Sequence, residues 1–404
     1  MPGGSPTPLF PRLPFAGTPV CSQSVNLPDS VRPSTAAAQA LGFLDPATGA
    51  FVPPIQPATT YERGADNRLL SGRLYSRADN PNYDQPEALL TRLEGGSATA
   101  VFSSGMSAAT AVFLSLRPGD HVLVPTVIYW ALRNWLVGWA TDWGLRIESV
   151  DMTSPVRAAA AVRPGETKLV WIETPANPTL VVTDIAALAE VAHRAGACLA
   201  VDSTFATPVH TQPIALGADL VMHSATKYLN GHSDVVAGAL TTAAANDAWQ
   251  RIKAVRAQAG AVLGPFEAWL LLRGMRTLYV RVEAQSRGAM RIAEHFSGHP
   301  KIEAVLYPGL ADFPGHDVAA RQMRGGFGGM LSLRVKGGAA GALAFIGRLQ
   351  LWKRATSLGG VESLIEHRAS VEGPQSTTPA DLLRMSVGLE DTGDLIQDLE
   401  RALG

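Results

Sequence analysis

The stretch HSATKYLNGHSDVVAG, residues 223–238, sets Lys227 immediately after a Ser-x-Thr pair, Ser224 and Thr226. The apolar run LGADLVM leads into it, so the lysine stands where a buried strand would end. A lysine in a polar loop is ordinarily a solvated surface group. The chemical reading is an amine that forms an imine with a carbonyl cofactor, with hydroxyls beside it to hold that cofactor's phosphate. Lysine suits this because burial and neighbouring charge can lower its pKa until the amine is nucleophilic.

Other residue groups bear on the choice. SSGMSAAT, residues 103–110, puts Gly105 and Met106 at the start of a helix, where free backbone N–H groups bind phosphate. Read alone, the same motif is equally a glycine corner between strand and helix. VDSTFATP sets Asp202 just past a strand. A buried carboxylate there suits a protonated pyridine nitrogen, and a turn-capping Asp is the plainer alternative. LYSRADNP carries Tyr75 and Arg77, a phenol and a guanidinium fork that suit a phosphate. Together these groups converge on a phosphate-bearing pyridine.

The elements that must position them alternate. ATAVFSS, HVLVP, RIESV, KLVWIE, CLAVD and LVMHS read as short apolar strands, and helical segments such as DIAALAEVAHRAGA separate several of them. This predicts an α/β fold with a mostly parallel sheet flanked by helices. Ligands in such sheets bind at the carboxyl ends of strands, where Lys227 and Asp202 fall. Residues 1–33 read as a tail rich in Pro, Ser and Gly, and 34–63 as an extended arm that lies on a neighbouring subunit. Residues 64–263 form the expected large cofactor-binding domain, and 264–404 a smaller C-terminal α+β domain. Residues 260–296 read as one long helical stretch, with Pro265 and Gly274 as break points.

Composition narrows the class. The 404 residues are 46% hydrophobic and 17% charged, with a net charge of -1, which points away from nucleic acid and from anionic membranes. Two cysteines make neither a disulfide framework nor a metal cluster, and a reducing cytoplasm is expected. The proline-broken N-terminus lacks the apolar core of a signal peptide.

The ordered set Tyr-Ser-Arg, Ser-Gly-Met, Glu-Thr-Pro-Ala-Asn-Pro, Val-Asp-x-Thr-Phe, Ser-x-Thr-Lys, Ser-Leu-Gly-Gly-x-Glu-Ser-Leu and Arg-x-Ser-Val-Gly-x-Glu closely resembles one family. It is similar to the Cys/Met-metabolism pyridoxal-phosphate enzymes of fold type I, which include cystathionine γ-synthases and γ-lyases and methionine γ-lyases. The resemblance covers residues 34–404. It implies that Lys227 holds pyridoxal 5'-phosphate and shuttles protons, and that Asp202 pairs with the pyridine nitrogen. It assigns the phosphate to Gly105, Met106, Ser224 and Thr226, with Tyr75 and Arg77 of a neighbouring subunit. Tyr129 would stack on the ring and act as acid or base. Arg384, assisted by Ser357 and Asn177, would clamp the substrate α-carboxylate. A homotetramer, built as a dimer of dimers, and a small amino-acid substrate follow from the same resemblance.

Two departures concern the substrate. Where cystathionine γ-synthases and γ-lyases commonly carry acids, this chain has Leu74 and Thr356. Their absence removes partners for the distal ammonium of cystathionine. The expected activity is γ-elimination or γ-replacement on another γ-substituted L-amino acid: an O-acylhomoserine, S-adenosylmethionine or canavanine type. A β-lyase is the alternative, and a non-catalytic cofactor-binding protein a more distant one. EHRASVEG, residues 366–373, adds charge near the expected entrance through Arg368 and Glu372. Trp135, Trp139 and Trp143 recur on one helical face and read as packing, whereas Trp130 and Arg133 are candidates to line a pocket.

Overall fold

The computed structural model describes residues 27, 28, 30–77, 79–373 and 376–404. The tail expected over 1–33 therefore lies largely outside the described residues. Two sheets organise the chain. The first has seven strands: β1 (Ala98–Phe102), β2 (His121–Pro125), β3 (Arg146–Val150), β4 (Thr167–Glu173), β5 (Cys198–Asp202), β6 (Leu220–His223) and β7 (Gly238–Thr242). Their order is β1-β7-β6-β5-β4-β2-β3. The pairs from β3 to β6 are parallel, while β7 runs antiparallel to both β1 and β6.

The period-2 alternation of a strand explains how this sheet is buried on both faces. Val122, Leu169, Trp171 and Ala200 face one core with the helices Gly105–Leu114 and Asp247–Ala259. Leu123, Val170, Ile172, Leu199 and Val201 face the other, against the helix Ile185–Arg194. Each strand needs apolar residues in both registers, which is why these segments read as continuous apolar runs. Asp184 caps that last helix by accepting from the Ala187 N–H, an interaction that stabilises by about 1 kcal/mol.

The second sheet holds β8 (Ile302–Leu306), β9 (Met330–Val335), β10 (Lys353–Arg354), β11 (Leu364–His367) and β12 (Leu382–Ser386), in the order β10-β11-β12-β9-β8. A third core joins it to the helices Pro81–Glu94, Pro265–Met275 and Leu278–Phe296, so the two sheets share apolar packing.

Local structure departs from the sequence expectation in three places. The long helical stretch, expected to break at Pro265 and Gly274, is two helices, Pro265–Met275 and Leu278–Phe296, with the second break two residues past Gly274. Gly274 lies against the Asn230 backbone, and the buried Arg281 takes the Gly274 carbonyl at 2.8 Å, which supports the break at 276–277. The arm opens with a short helix, Pro33–Ala38, before its irregular course. That course is pinned by side chains: Asn82 binds the Gln56 N–H and the Pro54 carbonyl, and Trp269 donates to Pro53. The Trp135, Trp139 and Trp143 rings do stack in series, with centroids 5.3 and 5.7 Å apart, but Trp139 is half exposed. They run through a π-helical turn, Leu136–Ala140, so the stripe borders the core rather than filling it.

Candidate active site

A cavity of about 340 Å³ opens where β4, β5 and β6 end and the loop before β11 crosses over them. Its wall holds Gly105, Met106, Tyr129, Asn177, Asp202, Ser224, Thr226, Lys227, Thr356, Ser357 and Arg384. These residues come from seven separate stretches of sequence. The sheet topology brings them together, because parallel strands deliver their carboxyl ends to one edge.

The floor is built by short polar contacts. Ser104 and Ser107 form a reciprocal cap at the start of the helix Gly105–Leu114. A Cβ on Gly105 would stand 2.7 Å from Ser224 Cβ and Oγ. Only glycine lets the helix N-terminus and the Ser224 hydroxyl converge, and the hollow they leave is lined by N–H and O–H donors, the chemistry a phosphate needs. Thr226 closes the lysine loop: its N–H donates to the Ala237 carbonyl at 3.1 Å, and its Oγ1 accepts from the Ala237 N–H at 3.0 Å. Arg281 takes the carbonyls of Tyr228 and Leu229, just past the lysine.

Lys227 Nζ donates to Ser357 Oγ at 2.9 Å. Burial lowers the ammonium pKa to about 8, with the nearby Arg384 charge adding to the effect. Asp202 Oδ1 accepts from the Thr204 N–H and hydroxyl at 3.0 and 2.6 Å. Burial still holds this carboxyl above its ordinary range. A cation at its free oxygen would relieve that cost, which a protonated pyridine nitrogen supplies. The donor-lined hollow, the buried carboxylate awaiting a cation and the depressed lysine together fit a phosphorylated pyridine aldehyde.

Glu173, the last residue of β4, received no role from the sequence. It pairs in register with Asp202 on β5. Its two oxygens accept from the Tyr129 N–H at 2.7 Å and the Asn177 N–H at 2.9 Å. Burial, then repulsion from Asp202, pushes its carboxyl up to about 8. The signal was present in Glu-Thr-Pro-Ala-Asn-Pro, but only strand pairing reveals which carboxylate it faces.

On the opposite wall, Arg384 on β12 donates to the Ser357 carbonyl at 2.9 Å and approaches Asn177 Oδ1 at 3.5 Å. It also pairs with Glu366 Oε2 at 2.7 Å. The Thr356 hydroxyl is turned onto the same Glu366 carboxylate. Trp130 lines the cavity, whereas Arg133 is absent from its described wall. Arg368, expected near the entrance, is 3% exposed and part of the wall.

Leu74, Tyr75 and Arg77 are not brought to Lys227 within one chain. They line a separate shallow cleft with Asp79 and Gln258, and Tyr75 and Leu74 are about half exposed. The Arg77 guanidinium stacks over the Tyr75 ring at 5.7 Å.

Comparison with known proteins gives concordant matches. The family model described as Cys/Met metabolism PLP-dependent enzyme matches residues 34–404. A cystathionine γ-synthase of Mycobacterium tuberculosis is 44% identical over 380 residues, covering 92% of this chain and 97% of the relative. A cystathionine γ-lyase of Bacillus subtilis is 41% identical over 369 residues, covering 89% and 96%. The solved structure of cystathionine γ-synthase from Xanthomonas oryzae in complex with cystathionine superposes with a TM-score of 0.88 at 39% identity, covering 92% of this chain and 98% of that one.

Proposed function

The chain belongs to the Cys/Met metabolism PLP-dependent enzymes, of γ-synthase and γ-lyase type, and we propose that its own reaction is γ-replacement or γ-elimination on an O-acylhomoserine-like γ-ester. Pyridoxal phosphate, when bound, supplies an electron sink for charge developed at the substrate Cα and beyond. Lys227 Nζ would hold it, Asp202 would meet its ring nitrogen, and Gly105, Met106, Ser224 and Thr226 would hold its phosphate. Tyr75 and Arg77 would reach that phosphate from a neighbouring subunit of a homotetramer, a reading supported by their exposure and by their lining a cleft separate from the one that holds their own Lys227.

The chain's residues then divide the work. Arg384, with Asn177 and Ser357, binds the substrate α-carboxylate. Lys227 Nζ, poised near neutrality, takes and returns the Cα proton. The Tyr129 phenol, over the cavity, gives a proton to the departing γ-substituent. A positioned acid–base group of this kind contributes roughly 10²–10⁴-fold.

The observation that carries the choice of ester is the charge of the cavity wall. Its carboxylates among the described residues are Glu173 and Asp202, both at strand ends and both already hydrogen-bonded. Thr356 presents no charge, and Leu74 could present none from a neighbour. Cystathionine brings a second ammonium that this wall does not meet, whereas a neutral acyl ester needs no such partner.

A keto-acid assay tests the reading. The cofactor-loaded enzyme is incubated without added nucleophile with cystathionine, methionine, O-acetyl- and O-succinylhomoserine, S-adenosylmethionine and canavanine. 2-Oxobutanoate from an O-acylhomoserine, with cystathionine poor, is expected. Preference for cystathionine, methionine, S-adenosylmethionine or canavanine overturns the ester, and pyruvate from cystathionine overturns γ-chemistry. If all six are silent, the O-acylhomoserines are offered again with cysteine, and failure to form a thioether then rejects the ester reading.

A further inference from the structure

Arg384 and Arg368 both line the cavity, and two carboxylates outside its described wall, the buried Glu366 and the half-buried Glu372, are paired with them, where the substrate clamp needs one charge. Register places Glu366 on β11 directly opposite Arg384 on β12. Glu366 Oε2 accepts from Arg384 at 2.7 Å and from Arg368 Nη1 at 2.9 Å, and its Oε1 takes the Thr356 hydroxyl. Arg368 opens a one-turn helix, Arg368–Glu372, so that Glu372 lies four residues on and meets Arg368 Nη2 at 2.8 Å. Glu372 is held in turn by the hydroxyls of Ser376 and Thr378, at 2.6 and 2.8 Å. Arg368, Glu366 and Arg384 are each over nine-tenths buried.

We propose that Arg368 is a positioning residue that neutralises Glu366 and so keeps the Arg384 guanidinium available to the substrate α-carboxylate. Buried ion networks add little to fold stability beyond what apolar packing would supply. The arrangement instead addresses a conflict. Glu366 and the incoming carboxylate compete for one guanidinium, and they repel one another across it. By drawing Glu366 Oε2 to itself, Arg368 halves that competition. Among the described residues, Arg384 Nη1 keeps the long 3.5 Å contact to Asn177, which also lines the cavity. Glu372 fixes Arg368 in place, so the extra cation does not itself capture the substrate.

The inference rests on Arg384 as the carboxylate clamp, and the test separates the two. Glycine, which has a carboxylate and no γ-substituent, is titrated into holoenzyme while the cofactor's visible absorbance is followed. Arg384→Ala should abolish the response; glycine affinity unchanged in R384A rejects the clamp itself. With the clamp established, Arg368→Met should weaken glycine about tenfold or more. The double variant R368M/E366Q should recover to within about threefold of the parent, because removing the unpaired charge removes the conflict. Arg368→Lys should bind glycine nearly as the parent does. Melting temperature and cofactor content are measured for each, and Arg368→Gln replaces R368M if the latter loses cofactor. Unchanged glycine affinity in R368M, or a double variant no better than R368M alone, rejects the proposal; the second pattern is that of structural damage.

Discussion

Lys227 and Ser357 stand 130 residues apart in sequence, yet the lysine amine donates to the serine hydroxyl at 2.9 Å. The contact joins the loop after β6 to the loop before β11, so the reactive amine is positioned by both sheets. Ser357 reaches it with a positive φ of 152°, a backbone state the surroundings must enforce. Ser357→Ala leaves the amine without this acceptor. Steady-state kinetics should show kcat/KM down about tenfold, the size of one lost hydrogen bond of about 1.4 kcal/mol, with the melting temperature little changed.

The same amine titrates within reach of experiment. Its folded pKa is lowered to about 8, chiefly by burial, so it is charged below that pH and neutral above it. Only the neutral amine attacks a carbonyl. Cofactor-free protein mixed with pyridoxal phosphate should therefore regain its visible absorbance faster as pH rises through about 8, then level off. A rate still climbing at pH 10 would contradict the lowered pKa.

Glu173 links pH to stability. Its folded pKa is raised to about 8 from an ordinary 4.5, so the folded protein holds a proton that the unfolded chain releases. Stability from this group is complete below about 4.5 and is lost as pH climbs toward 8. The melting temperature of cofactor-free protein should fall across that window. Glu173→Gln should flatten the fall, and an equally steep profile in the variant would count against it.

Gly105→Ala tests the phosphate hollow. The added Cβ meets Ser224 at 2.7 Å, an overlap that one side chain or the helix must yield to, at about 1–3 kcal/mol. Cofactor affinity, measured by equilibrium dialysis, should drop, because the helix N-terminus retreats from the site.

Site sharing between subunits is tested by mixing. Lys227→Ala and Arg77→Ala proteins should each be nearly inactive alone, and unfolding and refolding them together should restore activity. In a hybrid pair, one site receives an intact Lys227 and an intact neighbouring Arg77. No recovery would place Tyr75 and Arg77 outside the working site.

The sequence exposes Lys227 and Asp202 because they stand just past β6 and at the end of β5, locally encoded apolar runs that end where the polar residues begin. β7, β11 and β12 are harder to see. β7 contains Gly238 and reverses direction against β6, and LIEH and LLRMS put charged residues at buried strand positions. Those charges are tolerable only because Glu366 and Arg384 oppose each other, a fact of register between segments that composition does not carry. For the same reason Arg368 looked like an entrance charge until pairing placed it inside. Leu74 and Thr356 stand together in the substrate argument, but the chain places them in different clefts.

The loop that carries Lys227 is closed at its base by Thr226 and Ala237 and braced from behind by Arg281. An amine on such a closed loop can swing by its own side-chain torsions but cannot drift away with the backbone. In the proposed reaction, an amine held this way would stay beside the substrate Cα at an effective molarity no dissolved base approaches. On the proposed roles, the stiffness of that ring of backbone would let one lysine be first tether and then, without leaving, base.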